Sequence, residues 1–220
     1  MKNALLLLAL FVSILVYGQQ SKFVKIPVTK VLEIEKTMIP QRFLINKIKP
    51  ALGVEFRLVD TKRDQLGYTH KTYQQYYNGI KVMYGIVKVH DKNGVRVSYN
   101  GVYFNPSEVS QIATISDFQI KNSVTRFLGA KDISWLDEEG FSSGSQPNKE
   151  LVIFPNRRTE TLHLVYAVGA SVSSPELKIG TLYIDAKTAQ VLSYKNQLFT
   201  CFDNEDRENN TNHKHNHSED

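Results

Sequence analysis

The chain has 220 residues, 41% of them hydrophobic and 22% charged, with a formal net charge of +5 and a single cysteine. That composition supports a packed core of one large domain or two small ones. It excludes a disulfide scaffold and a disordered chain, and the cations are scattered without a nucleic-acid motif.

The first 18 residues read as an export signal. Lys2 supplies the positive start, Ala4 to Val16 is a nearly unbroken apolar run, and Val16-Tyr17-Gly18 places a small residue at the cleavage position, so the mature chain is expected to begin at Gln19. The run is about 13 residues, too short to span a bilayer. Removal of Lys2 takes the net charge from +5 to +4. A mild positive balance reflects solubility or complementarity to an acidic protein partner, and no membrane contact is expected after cleavage.

Residues 21–40 are mixed and partly extended. Pro40 to Leu52 carries Phe43, Leu44, Ile45 and Ile48 at the spacing of a short amphipathic helix ending near Pro50. Val54 to Val59 alternates as a strand. Thr69 to Tyr77, Ile80 to His90 and Val95 to Phe104 form an antiparallel meander, because Asn78-Gly79 and Asn93-Gly94 are hairpin turn signals. Asn105-Pro106-Ser107 interrupts the pattern. Ser116 to Leu128 is predicted as a helix capped by Ser116 and closed by Gly129, with Phe118, Ile120, Val124, Phe127 and Leu128 as its apolar stripe. A Gly/Ser-rich loop over 140–148 leads to strands at 150–154, 161–172, 178–185 and 190–196. The chain from Phe202 has no apolar period and belongs to no core.

These elements predict an α+β fold of two small subdomains, each a helix packed on an antiparallel β-meander. The expected organisation is a signal peptide over 1–18, a first domain over 19–105, a second over 106–198 and a disordered His/Asn-rich tail over 199–220.

No constellation for catalysis is found. There is no His-Glu-x-x-His pair, which would set two zinc ligands one helical turn apart beside a general base, no Gly-x-Ser-x-Gly elbow and no phosphate-binding glycine loop. Asp137, Glu138 and Glu139 are consecutive, the pattern of a solvated loop. Cys201 adjoins the tail without a histidine held against it, as a free thiol or, in the alternative, as one half of an intermolecular bridge. His70, His90 and His163 sit in strand patterns with no partner at ligand spacing, and a polar strand face accounts for them. In the tail, His213, His215 and His217 alternate and form a weak, unpreorganised metal candidate. No cofactor is expected, and the chain by itself is not read as an enzyme.

One stretch is specific. Tyr68 to Gly85 reads Tyr-Thr-His-Lys-Thr-Tyr-Gln-Gln-Tyr-Tyr-Asn-Gly-Ile-Lys-Val-Met-Tyr-Gly. It resembles the fungalysin/thermolysin propeptide motif, with Tyr73, Gln75, Gly79, Ile80, Val82 and Gly85 at the motif's positions, followed by the expected strand, the Asn93-Gly94 turn and Asn100-Gly101. The family's arginine three residues before the glutamine is Thr72 here, and its proline is Lys81. The second half resembles a PepSY domain through Leu151–Pro155, Leu164–Val168 and the terminal hairpin Tyr183–Leu192, which includes Asp185. The family prefers glycine at Ala189, where a left-handed backbone would cost alanine about 1 kcal/mol.

The resemblance, over 31–196, implies the pro-region of a secreted thermolysin-like zinc metalloprotease, stopping where the link to a catalytic domain would begin. It implies an intramolecular chaperone and inhibitor of that protease, in a zymogen or in trans, located outside the cell. Tyr73, Gln75, Gly79, Ile80, Val82, Gly85, Tyr183 and Asp185 are the binding residues it implies, and residues 190–201 the segment leading toward the protease cleft. The alternative is a free-standing extracellular binding or adhesion module that has kept the fold.

Overall fold

The computed structural model describes residues 22–31, 40–137, 140–142 and 144–198; the signal sequence, Glu138, Glu139, Cys201 and the tail histidines lie outside them. The described elements run β1 (Phe23–Lys30), α1 (Pro40–Ile48), β2 (Val54–Arg63), β3 (Tyr68–Tyr77), β4 (Ile80–Lys92), β5 (Val95–Phe104), α2 (Asp117–Leu128), β6 (Ser134–Leu136), β7 (Lys149–Asn156), β8 (Thr161–Val172), β9 (Lys178–Asp185) and β10 (Val191–Asn196).

Both Asn-Gly pairs turn as their chemistry dictates. Asn78 and Gly79 have φ of 46° and 83°, and Asn93 and Gly94 have 50° and 81°. Two successive left-handed residues twist a hairpin with the same hand as its strands. β3, β4 and β5 are thereby antiparallel neighbours, with β2 outside β3 and β1 beside β5. In the second half β7, β8, β9 and β10 pair antiparallel in chain order, and β6 pairs with the end of β8 that β7 does not cover.

The two halves are not separate helix-on-meander units, which corrects the expected α+β architecture. The protein is mostly β, and its described strands form a single ten-stranded sheet: seven run in the order β1-β5-β4-β7-β8-β9-β10, β3 and then β2 branch from β4, and β6 branches from β8. The joint is a short parallel pairing of β4 with β7, Lys81 opposite Val152 and Val82 opposite Ile153. Behind it, Val82 and Phe104 from the first half pack with Ile153, Leu164 and Ala186 from the second. A parallel contact two rungs long leaves no turn signal in the sequence, so only tertiary packing reveals it.

Each helix covers one end of the sheet. In α1, Phe43 and Leu44 are fully buried against Phe56, Tyr73, Val87 and Tyr99, while Ile45 is about half exposed at 46%. The Phe43 ring meets Tyr99 edge-on at 5.2 Å and carries the Arg96 guanidinium at 4.6 Å.

In α2, Ser116 and Gln119 form a reciprocal capping box: Ser116 Oγ accepts from the Gln119 N–H, and Gln119 Oε1 accepts from the Ser116 N–H. Gly129 closes the helix in the left-handed region at φ 70°. The buried face is narrower than the sequence stripe. Ile120, Val124 and Leu128 are buried, but Phe118 and Phe127 are 71% and 45% exposed. At 3.6 residues per turn, residues four apart share a face, whereas Phe118, two positions from Ile120, lies on the far side. Ser116→Ala should cost about 1 kcal/mol in urea unfolding; an unchanged midpoint would show that the cap carries no stability. No helix among the described residues is long and apolar enough to cross a membrane.

Candidate functional site

The distinctive local structure lies where β3 faces β4. Gln74 pairs with Ile86 and Tyr76 pairs with Lys81, so the four residues Val82 to Gly85 of β4 bulge out opposite Gln75 alone. Tyr84 takes φ 62°, a left-handed conformation that only local support holds in a bulky residue.

Two buried glutamines supply that support. The Gln74 side-chain amide donates to the carbonyls of Val82 (2.6 Å) and Gly85 (3.1 Å), tying the neck of the bulge, and also to its neighbour's carbonyl (3.0 Å). Gln75, completely buried, points to the other face. Its Nε2 donates to the Phe104 carbonyl at 2.6 Å, and its Oε1 accepts from the Phe104 N–H at 2.9 Å. The side-chain amide thus stands in for a strand residue and completes the end of β5. Glycine at 85 is a steric requirement, since a Cβ there would lie 2.6 Å from Gln75 Oε1 and 2.8 Å from Gln75 Cβ.

The implied binding residues are therefore mostly builders of this lock. Tyr73 is buried in the core under α1, Gly79 makes the turn, Ile80 is half-buried, and Val82 is fully buried at the joint with β7. By ending the pairing of β4 with β5 at Ile86, the bulge leaves Lys81 and Val82 free to take β7.

Outside the lock, Tyr84 caps an aromatic patch whose other two rings, Phe154 and Tyr183, are buried at 8% and 4% exposure. Tyr84 is 42% exposed and faces Phe154 at 6.3 Å, whose ring stacks on Tyr183 at 4.6 Å. Met83 and Leu192 flank them, and Arg157 lies 5.7 Å over the Tyr84 ring. Along β9, Leu182 and Ile184 point toward α2 and Tyr183 points to the opposite face, which has no helix residue in its apolar cluster. An open groove of about 560 Å³ borders the patch between Tyr84, Phe154 and Leu192. Burial, then the adjacent Tyr84 phenol, push the Tyr183 hydroxyl up to about 12, so it stays a neutral donor. The one sequence signal for the patch is an aromatic beside the motif's glycine, at Tyr84-Gly85.

Asp185 builds a turn. Its Oδ1 accepts from the N–H groups of Lys187 (2.9 Å) and Thr188 (2.8 Å) and from the Thr188 hydroxyl (3.0 Å), with His163 Nδ1 3.5 Å from Oδ2. Ala189 beyond it is left-handed at φ 60°. Burial pulls the Asp185 carboxyl upward, but these hydrogen bonds outweigh it and hold it below the ordinary value. A depressed folded value means stability that is present above about pH 4 and is lost as pH falls through the folded value. The stability gap between wild type and Asp185→Asn in urea should therefore be larger at neutral pH than near pH 3, and a constant gap would remove the carboxylate from the account.

The strand histidines also differ from their sequence reading. His70 and His90 are directly opposite one another, with their Nδ1 atoms 2.6 Å apart, because a cross-strand partner has no fixed spacing in sequence. Asp137 Oδ1 accepts from the Phe141 N–H at 2.8 Å in its loop. Among the described residues no group of three or more His, Cys, Asp or Glu is placed to hold a metal ion.

The model of the Fungalysin/Thermolysin Propeptide Motif matches residues 54–103, from the start of β2 to Tyr103, one residue short of the end of β5. The chain carries this propeptide motif. The matched segment contains Gln74, Gln75, Gly85 and Gly101, so the propeptide motif coincides with the bulge and its lock. Among solved structures, the Bacillus megaterium YpeB C-terminal domain aligns with a TM-score of 0.33 and 13% identity, covering 70% of this chain and 60% of that one.

Proposed function

We propose that this chain is the pro-region of an exported thermolysin-like metalloprotease, acting on the catalytic domain as folding assistant and inhibitor, in cis or in trans. The observation that carries the reading is the propeptide motif over 54–103, whose glutamine and glycine make the contacts that give those residue types a purpose. The second half is read as PepSY-like on the sequence of its strands and terminal hairpin.

The docking surface in this reading is the open side of β10. Among the described residues that strand ends the sheet, paired with β9 on its inner side. A sheet edge can hydrogen-bond an extended partner segment. A pro-region that binds the native protease better than its unfolded forms stabilises the native state by mass action.

The purified chain should inhibit a thermolysin-like protease stoichiometrically and raise its refolding yield. Deletion of residues 196–220 should weaken inhibition at least tenfold; unchanged inhibition would rule out the segment that follows β10 as part of the docking surface. A folded chain with no inhibition and no effect on refolding would instead leave the extracellular binding module as the reading.

A further inference from the structure

His70 and His90 lie on the half-open polar face of β3 and β4, opposite the core under α1. Each ring has its remote nitrogen occupied by an acceptor. His70 Nε2 donates to Asp64 Oδ2 at 3.1 Å, and His90 Nε2 donates to Asn100 Oδ1 at 2.7 Å. Asp64 is itself fixed, its Oδ1 accepting from the N–H groups of Leu66 and Tyr68 at 2.9 Å each. With a hydrogen on Nε2 in both rings, a neutral imidazole has only a lone pair at Nδ1. The two Nδ1 atoms point at each other across 2.6 Å. Two lone pairs at that distance repel unless a cation lies between them.

We propose that His70 and His90 form a two-histidine site for a borderline-soft divalent ion of the zinc or copper kind. Such ions take imidazole nitrogen at about 2.0–2.1 Å, so the pair has to open by only about 1 Å to seat one. Metal-bound histidines characteristically donate their other N–H to a carboxylate or carbonyl, which fixes the tautomer and ring orientation. Asp64 and Asn100 provide that outer support. Tyr68 stacks on His70 at 6.2 Å and restrains the ring from its face. The His70 side chain is 34% exposed, leaving room for water as further ligands. The cation opposite His70 on β2, Lys62, is turned to Asp60 at 3.4 Å.

The test is a Zn2+ titration of the full chain carrying His213→Ser, His215→Ser and His217→Ser, which removes the tail as a competing ligand. Zn2+ should raise the melting temperature saturably, with micromolar affinity. Asp64→Asn should weaken binding about tenfold to a hundredfold, and His90→Asn should abolish it. No rise at millimolar Zn2+, or a rise that survives His90→Asn, would overturn the site. Should a variant fail to fold, imidazole 15N spectra of the protein with both histidines intact decide. The Nδ1 signals of His70 and His90 should shift together on adding Zn2+, and stationary signals would mean that only a proton bridges the pair.

Discussion

Gln75→Ala is expected to lower the unfolding free energy by about 4 kcal/mol. The side chain makes two hydrogen bonds to the backbone of Phe104, and both residues are buried. Truncation leaves the Phe104 N–H and carbonyl without partners and without water, at about 1–3 kcal/mol for each group. Against a typical net stability of about 5–15 kcal/mol, that loss leaves a sizeable unfolded fraction. Gln75→Met separates bonding from packing, since it fills similar volume and makes neither bond. Urea melts should place Met within about 1 kcal/mol of Ala. A Met variant as stable as wild type would show that volume, and not the amide, matters there.

Gly101→Ala should be nearly as damaging for a different reason. Gly101 has φ 151°, and a Cβ there would sit 2.2 Å from the Ile86 carbonyl oxygen and 2.8 Å from Val87 Cα. Both obstacles are backbone of the neighbouring strand, so no rotamer change relieves them. Ile86 is also the rung at which β4 leaves its bulge and begins to pair with β5, opposite Val102. A strained φ and an overpacked contact together imply a loss of about 3 kcal/mol or more. Circular dichroism with urea unfolding measures it, and a loss below about 1 kcal/mol would mean that the strands can separate locally without cost.

Local determinants are legible in the amino-acid sequence. Asn78-Gly79 and Asn93-Gly94 fixed their hairpins because two left-handed residues in succession are accessible to few other pairs. Ser116 and Gly129 bounded α2 because cap chemistry is written within a few residues. Contacts between residues distant in sequence are not legible there. Phe118 and Phe127 satisfied an apolar pattern yet remained exposed at 71% and 45%, since the face packed on the sheet centres on Ile120, Val124 and Leu128, and the Phe127 ring lies at its margin, 5.5 Å from Tyr194 of β10. The motif residues were recognisable as a pattern, but Gln75 touches Phe104, 29 positions away, and nothing in its surroundings announces that contact.

The sequence by itself determined the strands of both meanders, their turns, the capped helix and the presence of a propeptide-like motif, because backbone preference and hydrophobic period are properties of short segments. Only the tertiary structure decided that the two halves share one sheet through Lys81–Val82 and Val152–Ile153. The same holds for Tyr84, Phe154 and Tyr183 gathering into one patch and for His70 facing His90. Those outcomes depend on strand register and on a bulge held by a side chain from another strand, and they follow from which long-range pairings leave no buried backbone group unpaired.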